Sequence, residues 1–430
     1  MRLPREILEK IFLYCDGITL LYARISCEEL RDIVDYLSQK TRIWEWCCNE
    51  EIPSEELVDY FPTYHKLGTE KWMKMYIHWY SWHSNSNCFL DPVPCPNEFQ
   101  LKRISCIAVS SHHIAIGSED GRVKLFTRNW NPVFEHRVVA VKLTKISFIG
   151  YNDYNDVNFL DIGLLVAFPK GLSILSFNGV RKYQYDILDI ISHSVFGNHI
   201  CIEKIGGRMS IVKITKQYDF KEIWFTRVYS PHCITAYQMW NGKCTFLIND
   251  SVMSLNYSKP TLTPMEQMEK LMEVKFVSTL MLDSRTTQIF RDDVIINIYK
   301  NADKSKRLLD IEDYVEIIIL GKDNQYSKKI YNMWDIFRCR ITCIYLYGNS
   351  LLIGTDIGVV YFYSLSKWKN FDMKNYTEKQ IIGKHPIICI TAIVTGNDRD
   401  FYICSRFAIH KVVGWTPCSS KPNIFAVPFK

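Results

Sequence analysis

Apolar and polar positions follow two different periods along the chain, and the change falls near residue 100. The first apolar stripe falls at positions i, i+1, i+4 and i+5 of a helix, namely Ile7, Leu8, Ile11 and Phe12. Pro4 suits the first helical position, because its missing N–H costs nothing there. We expect this helix to end at Asp16-Gly17 and the next one to be capped by Thr19.

Residues 1–50 are therefore predicted to form a small helical module. Its third apolar face is marked by Leu30, Ile33, Val34 and Leu37. A chain of about fifty residues buries only a modest fraction of its surface. We expect a partner to complete the core of this module.

Residues 51–99 are predicted to be a helical linker, with one short helix over Glu55–Phe61. An aromatic stripe then follows at spacings of four, three and three, namely Trp72, Tyr76, Trp79 and Trp82. We expect this stripe to pack the helical module against the part that follows. Asp91-Pro92 and the prolines at 94–96 break the helical pattern, which places the boundary near residue 99.

From about residue 100 the pattern alternates with period two, as in β-strands. One unit consists of three predicted strands and a tight Asp-Gly turn, namely Ile104–Val109, His113–Gly117, the turn Ser118–Gly121, and Arg122–Phe126. The same unit returns as Ile341–Leu346, Ser350–Gly354 and Val359–Tyr363. Two matching units so far apart indicate a repeat architecture.

Weaker copies fill the interval between these two units and follow the second. They are predicted to begin near Ile146, Leu188, Ile234, Val274 and Ile388. Periods of about 40–45 residues with four short strands are typical of propeller blades, and we count seven, with six or eight as the alternatives. The longest interval is taken as a loop inserted around Asn301–Lys329. A last strand at Asn423–Phe429 is expected to close the ring beside Phe99–Arg103.

The opening residues carry a resemblance to a known module. Leu-Pro-x-Glu-Ile at 3–7, then Ile11-Phe12, Cys27, Ile33-Val34 and Trp44-x-x-Cys47 resemble an F-box. F-box modules bind a Skp-type adaptor and tie it to a cullin ubiquitin ligase. The resemblance implies a set of adaptor-binding positions and places Cys27 among the core positions of the module; the set is Leu3, Pro4, Glu6, Ile7, Ile11, Phe12 and Cys27. The chain departs from the family at Ser26–Leu30, where a basic residue and a Trp are common.

The units at 104–129 and 341–366 resemble WD repeats, while the other units lack the Gly-His and Trp-Asp dipeptides. The chain as a whole thus resembles a divergent F-box/WD-repeat protein. The implied fold is an α+β multidomain chain, with an F-box at 1–50, a helical linker at 51–99 and an all-β, WD-repeat-like propeller of about seven blades at 100–430.

Composition narrows the choice of partners and compartment. The formal net charge is only +6, a modest surplus that does not predict nucleic-acid binding. No run approaches the 18 apolar residues of a membrane span, and no secretory signal is seen. The 15 cysteines show no framework or metal-ligand spacing, so we expect reduced thiols, no metal, no cofactor, and a cytoplasmic or nuclear location.

No catalytic motif appears in the chain, neither a phosphate-binding loop nor a nucleophile elbow nor a zinc-protease helix. One binding pattern does appear, since five of the predicted second-to-third-strand turns carry a basic residue: Arg122, Lys170, Arg208, Arg291 and Arg406. These residues would form a cationic face for an acidic or phosphorylated peptide. The alternative is that they are ordinary solvated turn residues.

The sequence leaves several functions open. The first is a non-catalytic substrate receptor of a Skp–cullin–F-box ubiquitin ligase, which binds the adaptor through the F-box and a protein substrate through the propeller. The second is an F-box scaffold that does not deliver a substrate, which the altered segment Ser26–Leu30 favours. The third is a propeller scaffold of another assembly. An enzymatic propeller is the least favoured, because it would need an inward cluster of acids or histidines.

Overall fold

A computed structural model describes residues 3–53, 56–57, 70–81, 89–91, 103–110, 112–150, 161–169, 171–176, 179–185, 190–204, 208–215, 220–227, 234–240, 243–248, 251–257, 268–274, 285–291, 293–300, 313–321, 325–348, 350–365, 368–395 and 398–413. The helices are α1 (Arg5–Phe12), α2 (Gly17–Ser26), α3 (Glu28–Lys40), α4 (Ile43–Glu51), α5 (Lys71–Ser81) and α6 (Met333–Phe337).

The first four helices form the predicted N-terminal module. Helix α1 begins at Arg5, one residue after Pro4, and the side chain of Asp16 caps α2 by accepting from the Thr19 N–H at 2.9 Å. The prediction that Thr19 is the cap was therefore wrong, because a carboxylate at the N-cap accepts from the helix's free N–H groups. Arg24 and Asp35 form a buried ion pair at 2.7 Å that joins α2 to α3.

Helix α5 extends the core of this module, as the aromatic stripe predicted. The rings of Trp44 and Tyr76 pack with centroids 5.7 Å apart, and Tyr76 is fully buried. The Tyr76 hydroxyl donates to one oxygen of Glu51 at 2.5 Å, and the Gly17 N–H donates to the other at 2.8 Å. This carboxylate therefore ties the start of α2 to the linker helix. Trp82 and most of the predicted helix Glu55–Phe61 lie outside the described residues.

Substituting Gly17 by alanine is expected to destabilise the module, because an added Cβ would overlap the Tyr76 ring. Overpacking of this kind costs about 1–3 kcal/mol of unfolding free energy. Gly383→Ala is the matched control, since a Cβ there would meet nothing within 4 Å. Urea unfolding of both variants checks the prediction, and equal stabilities would contradict the close approach of Gly17 to Tyr76.

The rest of the chain folds into seven four-stranded antiparallel sheets. Strand β1 (Phe89–Asp91) belongs to the last of them. Blade 1 contains β2 (Ile104–Val109), β3 (His113–Ser118), β4 (Arg122–Thr127) and β5 (Pro132–Arg137). Blade 2 contains β6 (Lys145–Gly150), β7 (Asp161–Phe168), β8 (Gly171–Ser176) and β9 (Arg181–Tyr185). Blade 3 contains β10 (Ile190–Phe196), β11 (His199–Lys204), β12 (Arg208–Ile214) and β13 (Phe220–Arg227).

The remaining blades follow the same order. Blade 4 contains β14 (Ile234–Trp240), β15 (Lys243–Ile248), β16 (Ser251–Asn256) and β17 (Met268–Glu273). Blade 5 contains β18 (Arg285–Arg291), β19 (Val294–Tyr299), β20 (Tyr314–Leu320) and β21 (Tyr326–Asn332). Blade 6 contains β22 (Ile341–Tyr347), β23 (Ser350–Thr355), β24 (Val359–Ser364) and β25 (Glu378–Ile381). Blade 7 contains β26 (Ile387–Thr395), β27 (Asp398–Ser405), β28 (Ile409–Val413) and β1.

The first strands of successive blades contact one another around a closed ring, so they are the innermost strands of a propeller. The predicted count of seven blades is confirmed. Three details differ from prediction. The segment around residues 301–329 was predicted to be an inserted loop, but it carries β20 and part of β21, the third and fourth strands of blade 5. Blade 5 begins at Arg285 and not near Val274, which follows the outer strand of blade 4. The ring is closed by β1, which pairs with β28 from Phe89↔Val413 to Asp91↔Lys411, whereas the strand predicted at Asn423–Phe429 lies outside the described residues.

A buried polar junction fixes the linker to the propeller. Glu56 accepts from the Trp79 indole at 3.0 Å, from the Gly348 N–H at 2.7 Å and from the Arg291 guanidinium at 2.7 Å. Arg291 also pairs with Asp293, to which Trp368 donates at 3.0 Å. Glu56 therefore contacts two blades. Gly348 lies in the turn between the first and second strands of blade 6, and Arg291 is the last residue of the first strand of blade 5. The linker therefore lies on the propeller face that carries those turns.

Candidate functional site: two protein-binding surfaces

Helix α1 presents an apolar stripe to solvent. The side chains at spacings of four, four and three are Leu3 (54% exposed), Ile7 (42%), Ile11 (45%) and Tyr14 (88%). Pro4 and Glu6 are exposed beside them. We call Leu3, Ile7, Ile11 and Tyr14 the α1 face. Exposed apolar side chains grouped in this way are typical of a protein-interaction surface, because apolar area left in water is unfavourable and a partner can bury it.

Two of the predicted adaptor-binding residues lie differently. Phe12 is only 6% exposed and packs into the core of the module, on the side of α1 opposite the α1 face. It supports the helix and does not offer its ring to a partner. Cys27, which the resemblance placed in the core, is exposed between α2 and α3. The prediction of a core cysteine was wrong, because the extended residue between two helices turns its side chain to solvent.

The second surface is the propeller face opposite the linker. Antiparallel strands reverse direction at each turn, so the second-to-third-strand turns lie on the other face from the first-to-second-strand turns. Arg122 and Arg208 begin the third strands of blades 1 and 3, and Arg406 lies in the corresponding turn of blade 7. These three predicted residues therefore share the face opposite the one that the described linker residues contact. We call this the free face. Lys170 lies outside the described residues.

Arg291 does not belong to the free face. It ends the first strand of blade 5, on the linker side, and only 6% of the residue is exposed. Its guanidinium forms ion pairs with Glu56 at 2.7 Å and with Asp293 at 2.5 Å. The prediction of a substrate-binding role for Arg291 was therefore wrong, since misplacing the start of blade 5 shifted this arginine to the wrong turn.

The arginines of the free face are paired with acids. Arg122 meets Glu135 at 3.0 Å, Arg208 meets Glu222 at 3.4 Å, and Arg406 meets Glu119 at 3.0 Å. Burial alone would raise the pKa of Glu119, but the hydrogen bond and charge of Arg406 outweigh it and lower that pKa. The free face is thus a set of exposed, exchangeable ion pairs. An anionic ligand would have to replace an internal carboxylate at each arginine.

Sequence reasoning missed a polar group at the mouth of the central channel. Lys145 is the first residue of the inner strand of blade 2, at the end that opens on the free face. The equivalent inner-strand position holds Cys106, Cys343 or Cys389 in blades 1, 6 and 7, each followed by isoleucine. A charged residue at a position that three other blades fill with a thiol was the available signal.

His193, on the inner strand of blade 3, faces this lysine. Lys145 Nζ donates to the His193 carbonyl at 3.2 Å, and the buried His193 Nε2 has no hydrogen-bond partner among the described residues. Burial, helped by the charge of Lys145, lowers the pKa of His193 to about 3. The imidazole is therefore neutral in the folded protein near neutral pH.

This histidine predicts a loss of stability in acid. The pKa of His193 is lower in the folded than in the unfolded chain, so protonation favours unfolding. The stability that the neutral imidazole contributes is complete above its ordinary pKa of 6.5, and it is lost as the pH falls from there toward 3. Between pH 7 and pH 5, the free energy of unfolding of the wild-type protein should fall by about 2 kcal/mol more than that of His193→Gln. Urea unfolding at both pH values checks this, and parallel losses in the two proteins would contradict it.

Two further features are absent from the described part of the chain. No group of three or more His, Cys, Asp or Glu side chains there could hold a metal ion. None of the described helices is long and apolar enough to cross a membrane.

Comparison with known proteins identifies the N-terminal module. The F-box domain family matches residues 1–42. This match ends just before α4 and contains the whole α1 face. No curated protein matches the chain.

Solved structures similar to this chain share little of its sequence. The WD40 domain of Neurospora crassa Pan2 is 12% identical, with 76% of this chain and 93% of that one covered and a TM-score of 0.46. Saccharomyces cerevisiae Sqt1 is 9% identical, with 76% and 98% covered and a TM-score of 0.47. BamB from Moraxella catarrhalis is 11% identical, with 72% and 82% covered and a TM-score of 0.43.

These similarities are weak, and the propeller assignment rests on the strand pairing of the seven sheets. The F-box assignment rests on the family match and on the four helices that carry it. The chain therefore combines an N-terminal F-box domain with a seven-bladed β-propeller, an arrangement consistent with an F-box/WD-repeat protein.

Proposed function

We propose that this protein is a substrate-recognition subunit of a Skp–cullin–F-box ubiquitin ligase. The observation that carries the proposal is the exposed apolar α1 face within an F-box domain. In this role Leu3, Ile7 and Ile11 bind the Skp-type adaptor, with Pro4, Glu6 and Cys27 at the edge of the contact. The protein itself is non-catalytic and acts in the cytoplasm or the nucleus.

Such a receptor acts by proximity, because it raises the concentration of a substrate lysine near the conjugating enzyme. The rigid junction at Glu56 supports this mechanism. It anchors the linker on one propeller face through a buried ion pair and two further hydrogen bonds. The F-box and the free face would then keep a constant separation, so that a bound substrate is held at a set distance from the ligase.

The substrate would bind on the free face, since the linker occupies the other. Exposed arginines there favour an acidic or phosphorylated segment, because guanidinium groups pair bidentately with carboxylate and phosphate oxygens. Arg122, Arg208 and Arg406 are the residues proposed to make these contacts. Each would exchange its internal carboxylate for one from the ligand.

A scaffold that binds the adaptor without delivering a substrate is the second candidate. It is favoured by the acidic start of α3, where Glu28 and Glu29 are exposed next to Cys27. The family often has a basic residue in this segment. An altered charge there could change which adaptor complex is bound.

Protein turnover in cells separates the two candidates. We expect deletion of the chain to lengthen the half-life of at least one other protein, and re-expression of wild-type chain to shorten it again. A variant with Ile7 and Ile11 replaced by Asp should not restore turnover. If no half-life changes while the chain still binds the adaptor, the receptor function is wrong and the scaffold is favoured.

A further inference from the structure

The ammonium of Lys145 lies in an unusual electrostatic position. Its side chain is reached by solvent, yet it projects from an inner strand into the enclosed ring of the propeller. Burial by the surrounding protein lowers the pKa of Lys145. The group is thus partly stripped of water while still open to the channel.

The neighbours of this ammonium do not balance its charge. The hydrogen-bond acceptor found for it in the described part of the chain is a neutral carbonyl, that of His193. The nearby titratable groups are the neutral imidazole of His193 and the thiol of Cys389. No carboxylate among the described residues forms an ion pair with it, in contrast to Arg122, Arg208 and Arg406.

A cation without a counter-ion attracts an incoming anion more strongly than a paired one. At the free-face arginines an anion must first displace a carboxylate, so the net gain is small. At Lys145 no carboxylate of the described residues has to be displaced, and the enclosed surroundings weaken screening by water.

We propose that the channel mouth between blades 2 and 3 is a binding subsite for one anionic group, a carboxylate or a phosphate, which pairs with Lys145. This inference rests on the proposed function, because the group is taken to belong to the substrate held on the free face. The charge that anchors the anion is then that of Lys145, on an inner strand, and not that of an arginine in a turn. The arginines of the free face then orient the bound substrate, while Lys145 supplies the main electrostatic attraction.

The subsite can be tested by chemical footprinting on the full chain bound to its adaptor. The probes are inorganic phosphate and three peptides that differ only in a central Glu, phosphoserine or Gln within a Gly-Ser sequence. An amine-acetylating reagent is added, and mass spectrometry follows the acetylation rates of Lys145 and of Lys243, an exposed lysine of blade 4. Anionic probes should slow acetylation of Lys145 and leave Lys243 unchanged, and the Gln peptide should protect neither.

Affinity measurements on variants complete the test. Lys145→Gln should weaken binding of the better anionic peptide at least about tenfold, whereas Lys145→Arg should retain binding and Lys243→Gln should not change it. Protection by the phosphoserine peptide alone assigns the subsite to phosphate, and protection by both peptides assigns it to carboxylates generally.

Two failures would have different meanings. If the chain binds its adaptor but no anionic probe protects Lys145, the subsite is wrong and the proposed function stands. If the anionic peptides bind Lys145→Gln as tightly as they bind the wild-type chain, the anion binds elsewhere and the subsite is equally wrong. If the adaptor does not bind at all, the proposed function fails, whatever Lys145 does.

Discussion

Replacing Arg291 by methionine should lower the free energy of unfolding by about 3–5 kcal/mol, the usual cost of removing one partner of a buried ion pair. The change leaves the carboxylate of Glu56 buried, 4% exposed, with no positive charge beside it. Burial raises the pKa of Glu56 above its ordinary value, and the opposing effects of Arg291, Trp79 and Gly348 offset this only in part. Because both carboxylate oxygens accept hydrogen bonds from these donors, the ionised form is the one that the junction satisfies.

Two further variants make this experiment specific. Glu56→Gln keeps one carbonyl oxygen, which can serve the Gly348 N–H and Arg291, but its amide nitrogen then faces the Trp79 indole N–H. Arg291 stays paired with Asp293, so a smaller loss of about 1–3 kcal/mol of unfolding free energy is expected. Arg208→Met removes an exposed pair and should change stability by less than about 0.5 kcal/mol. Urea unfolding followed by tryptophan fluorescence gives all three values. An Arg291→Met loss no larger than that of Arg208→Met would show that the junction is not buried as described.

The double substitution of Ile7 and Ile11 by Asp should weaken adaptor binding by about a thousandfold. Buried interface anchors each contribute roughly 2 kcal/mol or more, and a carboxylate at either position would enter an apolar contact. Both side chains are more than 40% exposed in the free protein, so its own stability should change little. Binding is measured by titration with purified adaptor, and stability by urea unfolding.

Matched variants separate binding from folding. Ile381→Asp alters an isoleucine that is 73% exposed on the outer strand of blade 6, and it should affect neither property. Phe12→Ala should instead destabilise the module by about 3–5 kcal/mol, because it leaves a cavity in the core. A contradicting result would be that the double substitution unfolds the module, with adaptor binding lost only to the extent that the module unfolds. In that case these side chains pack internally, and a propeller scaffold of another assembly is favoured.

Local patterns allowed much of this fold to be predicted. The stripe of α1 and the aromatic spacing of α5 are helical periodicities that survive in the structure. Blades 1 and 6 were found because their turns carry Gly121 and Gly358, each at positive φ (81° and 77°). A glycine in such a turn is a sequence signal with a direct structural cause.

Other features depend on contacts that no local pattern records. Strand β1 has three residues, too few to show alternation, yet it closes the ring. The outer strand of blade 4 and the inner strand of blade 5 alternate alike, so period two could not tell where blade 5 begins. Arg291 and Glu56 are 235 positions apart, and only their pairing shows that this arginine is structural.

The most direct test of the account is co-expression of the full chain with a Skp-type adaptor, followed by size-exclusion chromatography with light scattering. We expect a stable one-to-one complex that is lost when Ile7 and Ile11 are replaced by Asp and retained in Ile381→Asp. A soluble, folded chain that elutes apart from the adaptor would contradict the assignment of the α1 face as an adaptor-binding surface, and with it the proposed ligase function.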